Sequence, residues 1–261
     1  MKITDAHRRC IQAFLSTPLM SSNQLIQLYI NISKKYNISV PNDPDELTHL
    51  FKEFFKKVDS FIQPYHIRIK RGIDEVTGDQ FYALINCVNN PISQLECSMN
   101  NMHREYFYRV IEHIMKSKKG SSVRYDLYKL AHRPSTVRET ITQKSILTAT
   151  EAQAALKSFI DNYWLQEDKD EKISLSQRSI LELEPYLKVI AEKDFTENSA
   201  NSPSQSFTTF DPNCYLCKKF CTKYEKCPNC SVKIHPFCHT KFVRNIKSEN
   251  VTIFNCPSCE F

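Results

Sequence analysis

The chain has 261 residues, a net charge of +6, 41% hydrophobic and 25% charged residues, and only three glycines against eleven cysteines. With glycine confined to Gly72, Gly78 and Gly120, neither G-x-G-x-x-G nor G-x-x-x-x-G-K-[ST] can be written, which excludes Rossmann and P-loop nucleotide sites. No apolar run approaches ~18 residues, so no membrane span is expected, and the opening Met1-Lys2-Ile3-Thr4-Asp5-Ala6-His7-Arg8 lacks the apolar core of a secretory signal.

In chain order, the N-terminal part reads as two copies of one plan. Thr4 caps a first helix whose apolar positions include Cys10, Ile11, Phe14 and Leu15. A second helix after Ser22 carries Leu25, Leu28, Tyr29 and Ile32 at the i, i+3, i+4, i+7 spacing. The third opens on Asp43 as N-cap, with Pro44 in the first helical position and Glu46 three residues after the cap. Leu47, Leu50, Phe51, Phe54, Phe55, Val58 and Phe61 then keep a helical period. After Pro64 the period drops to two. Tyr65, Ile67 and Ile69 alternate with polar residues, as do Phe81, Ala83 and Ile85, around the turn Asp74-Glu75-Val76-Thr77-Gly78-Asp79. Three helices followed by a β-hairpin describe a winged helix, expected over residues 1–97.

The second copy, over residues 98–193, repeats that order. A helix spans roughly 101–116, with Met102, Tyr106, Val110 and Ile114 on one face, and another runs from Tyr125 to Leu130. A third is opened by Thr148 and Glu151, a capping-box pair. A hairpin follows from Trp164 to Leu175 around Asp168-Lys169-Asp170-Glu171, and one final helix is expected from Ser176. Residues 194–211, with Asn198-Ser199-Ala200-Asn201-Ser202-Pro203-Ser204-Gln205-Ser206, have no apolar period and are expected to be a flexible linker. The fold class is therefore α+β: tandem winged-helix domains, then a small zinc module over 212–261.

Eight of the eleven cysteines lie between Cys214 and Cys259. In a reducing compartment such clustering means metal rather than disulfides. Four ligand pairs follow in order: Cys214-x2-Cys217, Cys227-x2-Cys230, His235-x2-Cys238 and Cys256-x2-Cys259. Each pair can occupy two corners of a tetrahedral Zn²⁺ site. In a cross-brace, Cys214, Cys217, His235 and Cys238 hold the first of two Zn²⁺, and Cys227, Cys230, Cys256 and Cys259 the second. About fifty residues bury too little core to fold alone, and structural Zn²⁺ can supply on the order of 10 kcal/mol. Cys221 and His239 are left over, read as bystanders before ligands, with His239 the one that could compete with His235.

Cross-braced modules divide mainly into RING and PHD types, and ligand order alone does not separate them. Leu216, before the second cysteine, and Pro257, after the seventh ligand, stand where RING ligases contact a ubiquitin-conjugating enzyme; Phe242 or Val243 completes a shallow groove. Glu260 stands where strong ligases often carry a basic residue. A PHD reader usually has tryptophan two residues before its seventh ligand, where this chain has Phe254, so histone reading ranks below ubiquitin transfer. A RING supplies no nucleophile and works by positioning a loaded conjugating enzyme. The other reading is a structural subunit whose zinc module only docks proteins or chromatin.

The third helix of neither copy has the basic, polar face that major-groove readout needs. Non-specific phosphate contact is open to Arg68, Lys70 and Arg71, and to the basic stretch with Lys116, Lys118, Lys119, Arg124, Arg133 and Arg138. Protein docking is the stronger expectation for the winged helices.

This order of domains resembles the non-structural maintenance of chromosomes element 1 family, the RING-like subunits of the structural maintenance of chromosomes 5–6 complex. The resemblance extends to Thr4-Asp5-Ala6-His7-Arg8-Arg9, to Ile67-Arg68-Ile69-Lys70-Arg71-Gly72 with Tyr82-Ala83-Leu84-Ile85-Asn86, to Trp164-Leu165 and to Arg178-Ser179-Ile180-Leu181-Glu182, besides the cysteine spacing. It implies a heterodimer with the MAGE-like element 3, contact with the kleisin element 4, a nuclear, chromatin-associated location, and a role in recombination repair. It also implies RING-type ubiquitin-ligase activity that depends on the MAGE-like partner. The chain departs from the family in a longer basic segment around 117–145.

Overall fold

A computed structural model of the protein describes residues 3–88, 99–117, 119–132, 147–200, 211–246 and 256–259. The chain divides into two compact units, one of Met1–Ile73 with Asp79–Asn90, the other of Asp74–Gly78 with Pro91–Phe261.

The first unit contains α1 (Asp5–Ser16), β1 (Leu19–Ser21), α2 (Ser22–Lys35), α3 (Pro44–Ile62), β2 (Ile67–Ile73) and β3 (Gln80–Asn86). Its helix starts are locally encoded. The Thr4 hydroxyl lies 2.6 Å from His7 Nδ1. Ser21 and Gln24 exchange bonds, the Ser21 N–H donating to Gln24 Oε1 at 2.8 Å and the Gln24 N–H to Ser21 Oγ at 3.3 Å. Asp43 Oδ2 accepts the Glu46 N–H at 2.9 Å.

The strands form an antiparallel sheet in the order β1-β3-β2, with Leu19 opposite Ala83 and Ile69 opposite Leu84. Phe14, Leu25, Tyr29, Phe54 and Val58 fill the core beneath it. His7 is buried against Phe54, ring on ring at 4.5 Å. Burial, helped by Lys57, holds its imidazole below the usual range and favours the neutral ring.

Two expected core residues face out instead. Leu15 is 64% exposed and Phe61 40% exposed. In each case the adjacent residue, Phe14 or Ile62, takes the core position, and successive helical side chains diverge by about 100°.

The second unit repeats the order with α4 (Asn101–Lys116), β4 (Ser121–Val123), α5 (Arg124–Lys129), α6 (Ala149–Asp161), β5 (Leu165–Glu167) and β6 (Lys172–Leu175). Its sheet runs β4-β6-β5, the same topology as the first. In both, a short strand after the first helix adds to the second strand of the hairpin. Neither short strand was expected, because three residues are too few to show a period.

The single final helix expected from Ser176 is two, α7 (Gln177–Glu182) and α8 (Glu184–Ala200). Pro185 explains the break: it has no N–H to donate back to the preceding helix, whereas in the first turn of a new helix that N–H is not needed. α8 continues past position 194, where the linker was expected to begin, since nothing from 192 to 200 is glycine or proline. The remainder of that linker, 201–210, lies outside the described residues.

Trp164, Tyr106, Phe107, Phe159, Ile111 and Leu156 form the core of this unit, with the Arg178 guanidinium 4.0 Å above the Trp164 ring. Phe220, from the cysteine-rich segment, is part of the same core. That segment is therefore packed into the unit rather than held off by the linker. Among the described residues, no helix is long and apolar enough to cross a membrane.

Candidate metal centre

The cysteine-rich segment is built on two copies of one knuckle. In the first, the Cys214 N–H donates to Lys219 O at 2.7 Å and the Lys218 N–H to Cys214 O at 2.9 Å. In the second, the Cys227 N–H donates to Val232 O and the Ser231 N–H to Cys227 O, both at 3.0 Å. Lys218 (φ 58°) and Ser231 (φ 63°) hold left-handed backbone without being glycine, a conformation that costs about 1–2 kcal/mol each. Such strain persists only where the surroundings over-determine it. Here the thiols of each knuckle must converge on a common point.

Strands β7 (Glu225–Lys226) and β8 (Lys233–Ile234) flank the second knuckle and pair antiparallel across it, and α9 (Pro236–Ile246) follows. Pro236 in the first helical position sets His235 just before the helix and Cys238 in its first turn. Cys256 and Cys259 share a tight turn, with the Cys259 N–H donating to Cys256 O at 3.1 Å.

These elements bring Cys214, Cys217, His235 and Cys238 into one group and Cys227, Cys230, Cys256 and Cys259 into another, with the donor atoms of each group within 4.8 Å of one another. Those are the groupings of a cross-brace. His235 Nδ1 lies 3.3 Å from Cys217 Sγ and 3.8 Å from Cys238 Sγ. In the second group, Cys230 and Cys256 sulfurs are 3.4 Å apart, and Cys227 and Cys259 sulfurs 3.9 Å. None of these is a disulfide, whose sulfurs sit at about 2.05 Å. Tetrahedral coordination with Zn–S bonds of about 2.3 Å separates sulfurs by roughly 3.8 Å, so the donor sets fit such an ion.

The electrostatics match. Hydrogen bonds from Cys221 and then Cys238 hold the Cys214 thiol far below its ordinary range. The same bond and burial push Cys221 far above it. Burial opposes ionisation of Cys230, yet the Val232 N–H and neighbouring thiols keep it at about 6. Burial also opposes a charged His235, but Cys214 and Glu75 outweigh it and raise the ring to about 11. Metal ligands of this kind must be deprotonated, and thiols already inclined to ionise, as at Cys214 and Cys230, suit a divalent cation.

The two residues left over are accounted for. Cys221 is a buried thiol donor behind Cys214, outside both groups. His239 turns away, its Nδ1 2.7 Å from Glu225 Oε2. The ring of His235 faces the sulfurs through Nδ1, while Nε2 meets Phe220 O at 3.1 Å and Glu75 Oε1 at 3.2 Å. Nothing in the sequence singled out Glu75, which lay in a polar turn with no spacing relation to any cysteine.

The surface candidates divide. Leu216 is exposed and Phe242 half-buried, but Pro257 is buried and presents no surface to a partner. Phe254 and Glu260 lie outside the described residues.

Among the basic candidates, Arg68 is engaged by Asp59, with Nε 2.9 Å from Oδ2 and Nη2 2.8 Å from the same oxygen. Arg124 is engaged bidentately by Glu167 at 2.7 and 2.6 Å. A guanidinium held this way has given up the fork that would grip a phosphate. Lys70, Arg71 and Lys119 are exposed, and Lys118, Arg133 and Arg138 lie outside the described residues.

A family model described as the Nse1 non-SMC component of the SMC5-6 complex matches residues 7–183. The Non-structural maintenance of chromosomes element 1 homolog of Xenopus laevis is 23% identical over 258 residues, covering 99% of this chain and 82% of the relative. The human protein of that name is 22% identical over 257 residues, covering 98% and 83%. Among solved structures, a chain of an Nse1-Nse3-Nse4 complex superposes with a TM-score of 0.75 at 22% identity, over 99% of this chain and 96% of that one. The fold is thus shared along nearly its whole length, and the chain belongs to the Nse1 family of non-SMC components of the SMC5-6 complex.

Proposed function

We propose that this chain is the zinc-bearing subunit of a nuclear, chromatin-associated SMC5-6 complex acting in DNA repair by homologous recombination. Its winged-helix units dock a MAGE-like Nse3 partner and contact the kleisin Nse4, and its two clusters each hold one Zn²⁺. With Nse3 bound, the module acts as a RING-type ubiquitin ligase, positioning a conjugating enzyme loaded with ubiquitin. The observation that carries the reading is the cross-braced pair of Cys/His groups, with exposed Leu216 beside Cys217, in a chain of this family.

The ligase reading is tested by ubiquitin transfer with the purified Nse1–Nse3 pair and a panel of conjugating enzymes. Transfer that Leu216→Ala abolishes, at unchanged zinc content, supports it. Transfer with none of the panel sinks it. The burial of Pro257 favours a second reading, in which the module is a docking element without transferase activity. Any DNA contact then rests on Lys70, Arg71 and Lys119 rather than on Arg68 or Arg124, and affinity that does not fall with salt would remove it.

A further inference from the structure

We infer that Glu75 is the outer carboxylate of the first metal centre: it holds His235 with the proton on Nε2, so that Nδ1 faces the metal. It thereby ties retention of that metal to the turn Asp74–Gly78.

Glu75 is only 6% exposed. A carboxylate so placed is costly unless its oxygens are satisfied. Here four donors converge on them. The Thr222 N–H reaches Oε1 at 2.7 Å, the Lys223 N–H reaches Oε2 at 3.0 Å, the Thr222 hydroxyl also donates to Oε2, and His235 Nε2 stands 3.2 Å from Oε1. A carboxylate offers about four acceptor sites, so the group is filled as an ion.

Its backbone is clamped too, since the Phe237 N–H donates to Glu75 O at 3.0 Å. Gly78 makes the approach possible. Its φ is +82°, and a Cβ there would lie 2.1 Å from the Phe237 ring. The turn is shaped from within by Asp74, whose Oδ1 accepts the Val76 and Thr77 N–H groups at 2.9 and 2.8 Å. Glu75 is thus left to point at the metal ligand.

A ligating imidazole donates its other N–H to a carboxylate or carbonyl, which fixes the tautomer and the ring plane; losing that partner typically lowers metal affinity by about 10–100-fold. His235 has both acceptors, Glu75 Oε1 and Phe220 O. Removing Glu75 leaves the carbonyl, so the lower end of that range, roughly tenfold, is expected. The second centre consists of four cysteines and has no imidazole to orient. It serves as an internal control.

This inference rests on the two-zinc reading, though not on ubiquitin transfer. The test uses the full chain, its Glu75→Gln and Glu75→Ala variants, and Glu225→Gln as a control beside His239. Each is loaded with Zn²⁺ for chelator competition and with ¹¹³Cd²⁺ for NMR, where nitrogen–cadmium coupling marks the centre that contains His235. The expected result is about a tenfold loss of affinity at that centre only, in both Glu75 variants, with Glu225→Gln unchanged. The wild-type His235 should couple to cadmium through Nδ1 and show a slowly exchanging Nε2–H, whose exchange quickens without Glu75. Equal weakening of both centres would mark Glu75 as general scaffolding and overturn the inference. So would unchanged affinity, or coupling through Nε2. A wild-type chain that takes up neither metal would overturn the two-zinc reading as well, whereas two tightly held metals unaffected by either Glu75 variant would overturn this inference alone.

Discussion

The two candidate metal centres start from the same knuckle and rest on different foundations. Behind the first stand Phe220 in the unit's main core, the buried thiol of Cys221, and the Glu75 carboxylate on His235. The second closes through a short turn in which Cys259 is exposed. The Cys-x2-Cys code makes a knuckle in both places, but what packs behind a knuckle decides whether the metal is coupled to the rest of the fold. Loss of the first metal should therefore reach the core of the second unit, and loss of the second should not.

The largest effect that bears on this contrast is ligand removal. Cys214→Ser should reduce zinc from two per chain to one and take away a metal contribution on the order of 10 kcal/mol, with a lowered melting temperature. Cys259→Ser should also leave one zinc but spare the melting transition. Equal melting losses in the two variants would erase the contrast. Phe220→Ala comes next: truncating a buried phenylalanine costs about 3–5 kcal/mol, and it should hasten chelator removal of the first metal but not the second. Gly78→Ala combines left-handed backbone with a clash against Phe237. It should cost roughly 1–3 kcal/mol in denaturant titrations and loosen the first centre alone. The smallest effect is expected of Cys221→Ala, about 1 kcal/mol from a small cavity, with zinc content still two. A drop to one zinc would make Cys221 a ligand and redraw the first centre.

Much of this organisation is legible in the chain. Asp43-Pro44 and Thr148-x2-Glu151 announce helix starts because a capping side chain reaches only three residues along the backbone. The repeated plan shows in the change of period from 3.6 to two. The cysteine groups show in spacing, because a knuckle is closed by hydrogen bonds within six residues. Other features have no such local mark. β1 and β4 are three residues each and exist because a hairpin strand offers them an edge. Leu15 and Phe61 fit an apolar face as well as their neighbours do, and only the core's outline decides between them. Arg68 and Arg124 looked like phosphate contacts until Asp59 and Glu167 were brought to them.

Glu75 marks the boundary between the two kinds of knowledge. Scarce glycine excludes nucleotide loops, and the spacing of seven cysteines and His235 sorts them into two groups of four; both are consequences of short-range geometry. That a carboxylate 147 positions from Thr222 should fasten the first centre depends on two surfaces meeting. Such a meeting follows from shape and from satisfying buried polar groups, neither of which leaves a period or a motif in the sequence. The three glycines divide the same way. As a count they only exclude, whereas Gly78 gains its role from the Phe237 ring that packs against it.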